Sequence, residues 1–212
     1  MSSPEYLIDG SANAPVTVIL AHGAGAPMDS PFMEAFAKGL ADNGLRCVRF
    51  EFPYMVDRRL TGTKKPPNRM PILMETWQAV VNDFNAGPLV IGGKSMGGRV
   101  ASMLAAGLDK TGMPVAGLAC LGYPFHPPGK PQTLRLDHFA ELRTSTLILQ
   151  GTRDALGSHE EVLNYELPSC VNVHWLEDGD HGLKPRVKSG RTEQQNWQEA
   201  IQALSDFARK CT

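Results

Sequence analysis

The 212-residue sequence predicts an α/β protein, a three-layer α/β/α sandwich around a mostly parallel sheet of six or seven strands. Three observations predict it. Short apolar runs rich in β-branched residues recur along the chain. Segments with helical spacing of apolar residues separate them. The length suits one domain over residues 1–212, with a substantial core and no large separate cap.

The strand-like runs are 16–21 (VTVILA), 47–52 (CVRFEF), 89–92 (LVIG), 115–121 (VAGLACL), 146–150 (TLILQ) and 171–176 (VNVHWL). Their near-continuous apolarity fits strands buried on both faces. After the first run, Ser30-Pro31 reads as an N-cap followed by proline at the first helical position. Phe32, Met33, Phe36 and Leu40 continue the helix and Gly44 ends it. Met74, Trp77, Val81 and Phe84 mark a second helix. Val100, Met103, Leu104 and Leu108 mark a third, beginning near Ser95. Ser158 with Glu161 and Thr192 with Gln195 have the form of capping boxes, the latter opening a stripe of Trp197, Ile201, Leu204 and Phe207. Strands that alternate with helices imply right-handed crossovers. Two long connections, 54–69 (YMVDRRLTGTKKPPNR) and 123–136 (YPFHPPGKPQTLRL), leave C-terminal strand ends, where open α/β sheets bind ligands.

Composition narrows the function. Hydrophobic residues make up 42% and charged residues 20%, with a formal net charge of −1, so no bulk basic field invites nucleic acid or an acidic membrane. No apolar run reaches the roughly 18 residues of a membrane span. The opening MSSPEYLIDG has neither a charged lead nor an apolar core, so the expectation is a cytoplasmic protein without a leader. Cys47, Cys120, Cys170 and Cys211 form no C-x-x-C pair and are expected to be buried, reduced thiols.

The stretch VIGGKSMGGR at 90–99 admits two parses. A phosphate loop, G-x-x-x-x-G-K-[ST], requires glycine at position 88, which is Pro88. A nucleophile elbow, G-x-S-x-G between a strand and a helix, fits Gly93, Ser95 and Gly97. A serine attacks a carbonyl only when a base takes its proton, and the base needs a carboxylate to orient it. Asp154 follows the run at 146–150, and His181 follows the run at 171–176. Both therefore fall on the sheet edge that carries Ser95, in the order Ser, Asp, His. Asp178 and Asp180 share the histidine's own loop, a poor position for reaching its far nitrogen. Of the other histidines, His126 lies in the long loop after 115–121 and can approach the site. His138, His159 and His174 fall in helical, capping or strand contexts. His22 opens the glycine-rich turn HGAGA. There the Ala24 N–H, together with the Met96 N–H, is the candidate donor to a developing oxyanion.

With those residues in place, the sequence resembles the α/β-hydrolase superfamily over nearly its whole length, through HGAGA, GGKSMGG, GTRDALG and GDHGLKP in that order. GGKSMGGR with YPFHPPGKP and DHGLKPR is similar to a compact group of predicted hydrolases. Its bacterial members are labelled as related to dienelactone hydrolase. Its animal relatives include a testis-expressed protein and a subunit of the non-specific-lethal chromatin complex. The resemblance implies a minimal α/β-hydrolase fold with Ser95, Asp154 and His181 as its triad. Because only 15 residues precede the run at 16–21, the first one or two usual strands are expected to be missing. Dienelactone hydrolases proper use a cysteine nucleophile where this chain has Ser95, so the lactone substrate is not carried over.

The expected activity is carboxylesterase-like cleavage of a small ester or thioester through an acyl-enzyme, with no metal and no organic cofactor. The alternative is a hydrolase-like binding or scaffold protein with little turnover. Arg58, Arg59, Lys64, Lys65, Arg69, Lys94, Lys184, Arg186 and Lys188 gather where the rim should be. They read either as a field for an anionic ester or as solvated loop charges. Lys94 is either a substrate contact or a residue packed at the elbow. His126 is a further candidate contact. Phe125, Pro127 and Pro128 either wall the site or stiffen their loop.

Overall fold

Seven strands form one sheet in the order β1-β3-β2-β4-β5-β6-β7. They are β1 (Tyr6–Asp9), β2 (Thr17–Ala21), β3 (Arg46–Phe50), β4 (Leu89–Lys94), β5 (Gly117–Leu121), β6 (Thr146–Gly151) and β7 (Val171–Leu176). β1 runs antiparallel to β3, and every other pairing is parallel. The architecture comes from a computed structural model, which describes residues 4–212. Residues 1–3, the start of the segment expected to carry no leader, lie outside the described residues.

Side chains alternate across the sheet with the period of two that a strand imposes. Val18, Leu20, Val90, Leu121 and Leu149 join one core with α1 (Pro31–Asp42) and α6 (Glu193–Arg209). Ile19, Ile91, Cys120 and Ile148 join the other with α3 (Met70–Asp83) and α4 (Met96–Thr111). Two cores on two faces make the three layers. α6 starts at the expected capping box, in which Thr192 Oγ1 accepts from Gln195 N and Thr192 N donates to Gln195 Oε1. The Ser158–Glu161 box also forms, but it caps only one turn, α5 (His159–Val162).

One expectation holds and one needs correction. The sheet has seven strands, within the expected six or seven, and one of them precedes residue 16. β1 is a four-residue edge strand whose Leu7 and Ile8 remain largely exposed, so it lacks the apolar run of a buried strand. The connection 54–69 is not all loop, since α2 (Pro53–Thr61) fills its first half. Pro53 starts that helix at the first position, and its buried Tyr54 and Met55 anchor it on the core. Its outer residues, Asp57, Arg58 and Arg59, hide it in a composition-based reading. Among the described residues no helix is long and apolar enough to cross a membrane. Cys47 and Cys120 are buried and all four thiols are free.

β2 is flanked by β3 on one side and β4 on the other, so the winding direction of the chain reverses between β2 and β4. The loops after β2 and β4 therefore part at a crevice on the C-terminal edge, the usual ligand position in such a sheet.

Candidate active site

The elbow follows directly from its glycines. Ser95 connects β4 to α4 with φ 50° and ψ −114°, a region non-glycine residues rarely occupy. A Cβ at Gly97 would stand 2.5 Å from the Ala21 carbonyl oxygen and 2.6 Å from that of His22. Only glycine lets α4 begin this close to the end of β2. The strained serine is pinned by its backbone: its N–H donates to Leu121 O at 3.0 Å, and its carbonyl accepts from Arg99 N at 3.0 Å.

Ser95, Asp154 and His181, 86 residues apart at the extremes, meet here. Ser95 Oγ lies 2.8 Å from His181 Nε2, and His181 Nδ1 lies 2.8 Å from Asp154 Oδ2. A carboxylate only accepts, so Nδ1 carries the proton and Nε2 is free to accept from the serine hydroxyl. Asp154 is fully buried. Its Oδ2 also accepts from Gln150 Nε2 at 2.9 Å, and its Oδ1 from Leu156 N at 2.8 Å. His181 keeps 31% of its side chain exposed, which opens the site to solvent.

Asp178 and Asp180 hold the histidine loop and do not touch its ring nitrogens. Asp180 Oδ1 accepts from the N–H groups of Gly182 (2.7 Å) and Lys184 (3.0 Å). Asp178 accepts from Arg186 N at 2.7 Å and pairs with the guanidiniums of Arg186 and Arg153.

The turn after β2 lies against Ser95, a Cβ built on Gly23 falling 3.8 Å from Ser95 Cβ. His22 is buried and its pKa is lowered by that burial. Its Nδ1–H donates to Gly23 O at 2.7 Å, and its Nε2 accepts from Phe52 N at 3.1 Å. Gly23 O also accepts from the Tyr54 hydroxyl at 3.3 Å. In a trans peptide the N–H points opposite to the carbonyl. The Ala24 N–H therefore faces away from His22 and Tyr54. Among the described residues it has no internal acceptor, and neither does the Met96 N–H at the first position of α4.

The two expected substrate contacts are placed differently. His126 is buried, its Nδ1–H donating to Pro127 O at 3.0 Å and its Nε2 lying 3.5 Å from Glu161. It joins its loop to α5, and among the described residues it forms no hydrogen bond with Ser95 or His181. The Lys94 ammonium donates to the His181 carbonyl oxygen. Burial lowers its pKa to about 8, although the nearby Asp154 and Asp180 act to raise it. Phe125 is buried among Tyr123 and Tyr165 and so stiffens its loop.

Four of the nine residues of the expected basic rim are paired from within. Arg59 pairs with Glu51 and Asp29, Lys65 with Asp57, Lys184 with Glu193 and Arg186 with Asp178. Arg58 donates to Lys65 O. Sequence reasoning missed Gln150. Its only signal was a lone amide closing an apolar strand four residues before Asp154.

Comparison with solved structures supports the architecture. A lidless α/β serine hydrolase from Xanthomonas campestris is 20% identical, covers 94% of this chain and 87% of its own, and superposes with a TM-score of 0.68. An α/β serine hydrolase homologue from Coxiella burnetii is also 20% identical, with 95% and 91% covered and a TM-score of 0.66. A dienelactone hydrolase from Anabaena variabilis is 17% identical, with 96% of both chains covered and a TM-score of 0.68. The family described as alpha/beta hydrolase domain matches residues 14–209, nearly the entire chain, and this protein belongs to it.

Proposed function

We propose that this protein is a serine hydrolase of carboxylesterase type, cleaving a small ester or thioester with Ser95 as nucleophile, His181 as general base and Asp154 as its orienting acid. The observation that carries the reading is the hydrogen-bonded chain from Ser95 Oγ through His181 to the buried Asp154, set on a strained elbow.

In this reading His181 Nε2 takes the serine proton as Oγ attacks the carbonyl carbon. Asp154 stabilises the resulting imidazolium. The Ala24 and Met96 N–H groups, without internal acceptors, receive the negative charge that forms on the carbonyl oxygen. His181 then gives its proton to the departing alcohol or thiol. Water enters through the exposed side of the imidazole, loses a proton to the same nitrogen and attacks the acyl carbon; that proton passes to Ser95 Oγ as the acid leaves. Four of the nine rim cations, Arg59, Lys65, Lys184 and Arg186, are already paired with carboxylates, which reduces the field available to an anionic ester.

A fluorophosphonate probe tests the assignment. Folded wild-type protein labels, and Ser95→Ala does not. Absence of label on the wild type, or label that survives the substitution, returns the protein to the class of hydrolase-like binding modules.

A further inference from the structure

We propose that Lys94 is a positioning residue for the base: its amine holds the His181 backbone in place from beneath the elbow, and it does not bind substrate. The inference rests on the hydrolase reading above.

Lys94 is the last residue of β4 and directly precedes Ser95, so its backbone moves with the nucleophile. Its stem passes Gly23, where a built Cβ lies 3.4 Å from Lys94 Cγ. Its head ends at Gly122. A Cβ there would stand 2.7 Å from Nζ and 2.9 Å from His181 O, so a side chain at 122 closes the passage. At the end of that passage Nζ donates to the His181 carbonyl and sits 5.2 Å from the centroid of the Phe32 ring. Phe32 in turn meets Trp197 edge-on at 5.3 Å, and Trp197 Nε1 donates to Gly182 O at 3.2 Å. Two consecutive carbonyls of the histidine loop are therefore held from two sides, by β4 and by α6.

Burying an ammonium is costly unless it is hydrogen-bonded, and the His181 carbonyl is the acceptor this one has. Asp154, Asp180 and His181 are the titratable groups around it, and neither carboxylate bonds to the amine. The link joins the nucleophile's strand to the base's loop, fixing the distance on which proton transfer depends. Because the amine titrates near 8, the link is charge-assisted at neutral pH and weakens above it.

The test is Lys94→Met assayed on a small neutral ester from pH 6 to 10. We expect kcat to fall about tenfold at pH 7 with KM nearly unchanged, the size of effect a displaced base produces. Wild-type kcat is expected to decline on the alkaline side as the amine loses its charge, a decline the variant lacks. The melting temperature should hold or rise, since a buried charge is removed. A raised KM with unchanged kcat would make Lys94 a substrate contact and overturn the inference, as would a kcat that Lys94→Met leaves unchanged across the range. If wild type takes no fluorophosphonate label, the hydrolase reading fails separately. Backbone amide exchange across 178–184 then decides the tether: faster exchange in Lys94→Met supports it, and equal exchange overturns it.

Discussion

Asp154 and His181 are bonded to each other, yet they are held in opposite ways. Asp154 is fully buried, and besides His181 its carboxylate takes direct bonds from Gln150 and from the backbone of Leu156. Among the described residues the His181 ring bonds only to Asp154 and Ser95, and its side chain is about a third exposed. Its place is set by its neighbours, through Asp178, Asp180, Lys94 and Trp197. Among the described residues three non-glycines have positive φ, Ser95, Asp178 and Leu183, and two of them flank the histidine. Asp154 is a fixed post and His181 is carried on a strapped loop. Removing the post should cost far more than removing one strap.

Asp154→Asn is the strongest test of that contrast. The amide can donate where the carboxylate only accepts, which moves the imidazole proton to Nε2 and leaves the serine hydroxyl without an acceptor. A fall in kcat of roughly 10³–10⁴ is expected with little change in KM. A fall of only tenfold would show that another group orients His181. Gln150→Leu comes next. Its amide spans Asp154 Oδ2, Tyr123 and Gly157, and its oxygen accepts from Tyr123 N at 2.7 Å. Leucine keeps the volume but strands the Tyr123 N–H, which should cost about 1–3 kcal/mol of stability. Activity should fall roughly tenfold through a looser carboxylate. Lost stability with full activity would mean that Leu156 N and His181 suffice to hold the acid.

The same contrast explains how much was legible in the sequence. Ser95, Asp154 and His181 each follow a strand-like run, and the glycines around Ser95 leave few other geometries, so the meeting of these residues was readable. So was the box at Thr192. Features defined by where a side chain ends were not. Lys94 adjoins the nucleophile in sequence, but its four-carbon stem carries the charge away to the histidine loop. His126 lies in the expected loop, yet its ring packs beside Glu161. Arg59 looked free because its partners Glu51 and Asp29 come from other parts of the chain. α2 and β1 escaped for lack of a long apolar pattern, since one turn of core contact anchors the first and an exposed edge carries the second.

Asp178→Asn gives the smallest expected effect and isolates one strap. Asparagine tolerates the φ of 51° at this position and keeps the side-chain size, so the substitution removes charge while preserving the turn. The Arg186 guanidinium beside Asp178 holds its carboxyl well below the usual carboxylate range. A carboxyl lowered in the folded state stabilises fold and loop above its unfolded pKa of about 4, and that contribution is lost as pH falls further. The melting temperature of the variant should therefore lie slightly below that of wild type at pH 7, and the gap should close in acid below pH 4. Because Arg186 is about half exposed, 1 M salt should narrow the gap as well. With the remaining straps intact, kcat should fall only about two- to fivefold, as for the loss of one partly exposed ion pair. A loss as large as that of Asp154→Asn would mean that Asp178 holds the base alone, and the division into a fixed acid and a multiply strapped base would not stand. A gap constant from pH 7 to 3 would show instead that the residue acts through its backbone conformation, with its charge contributing nothing to the loop.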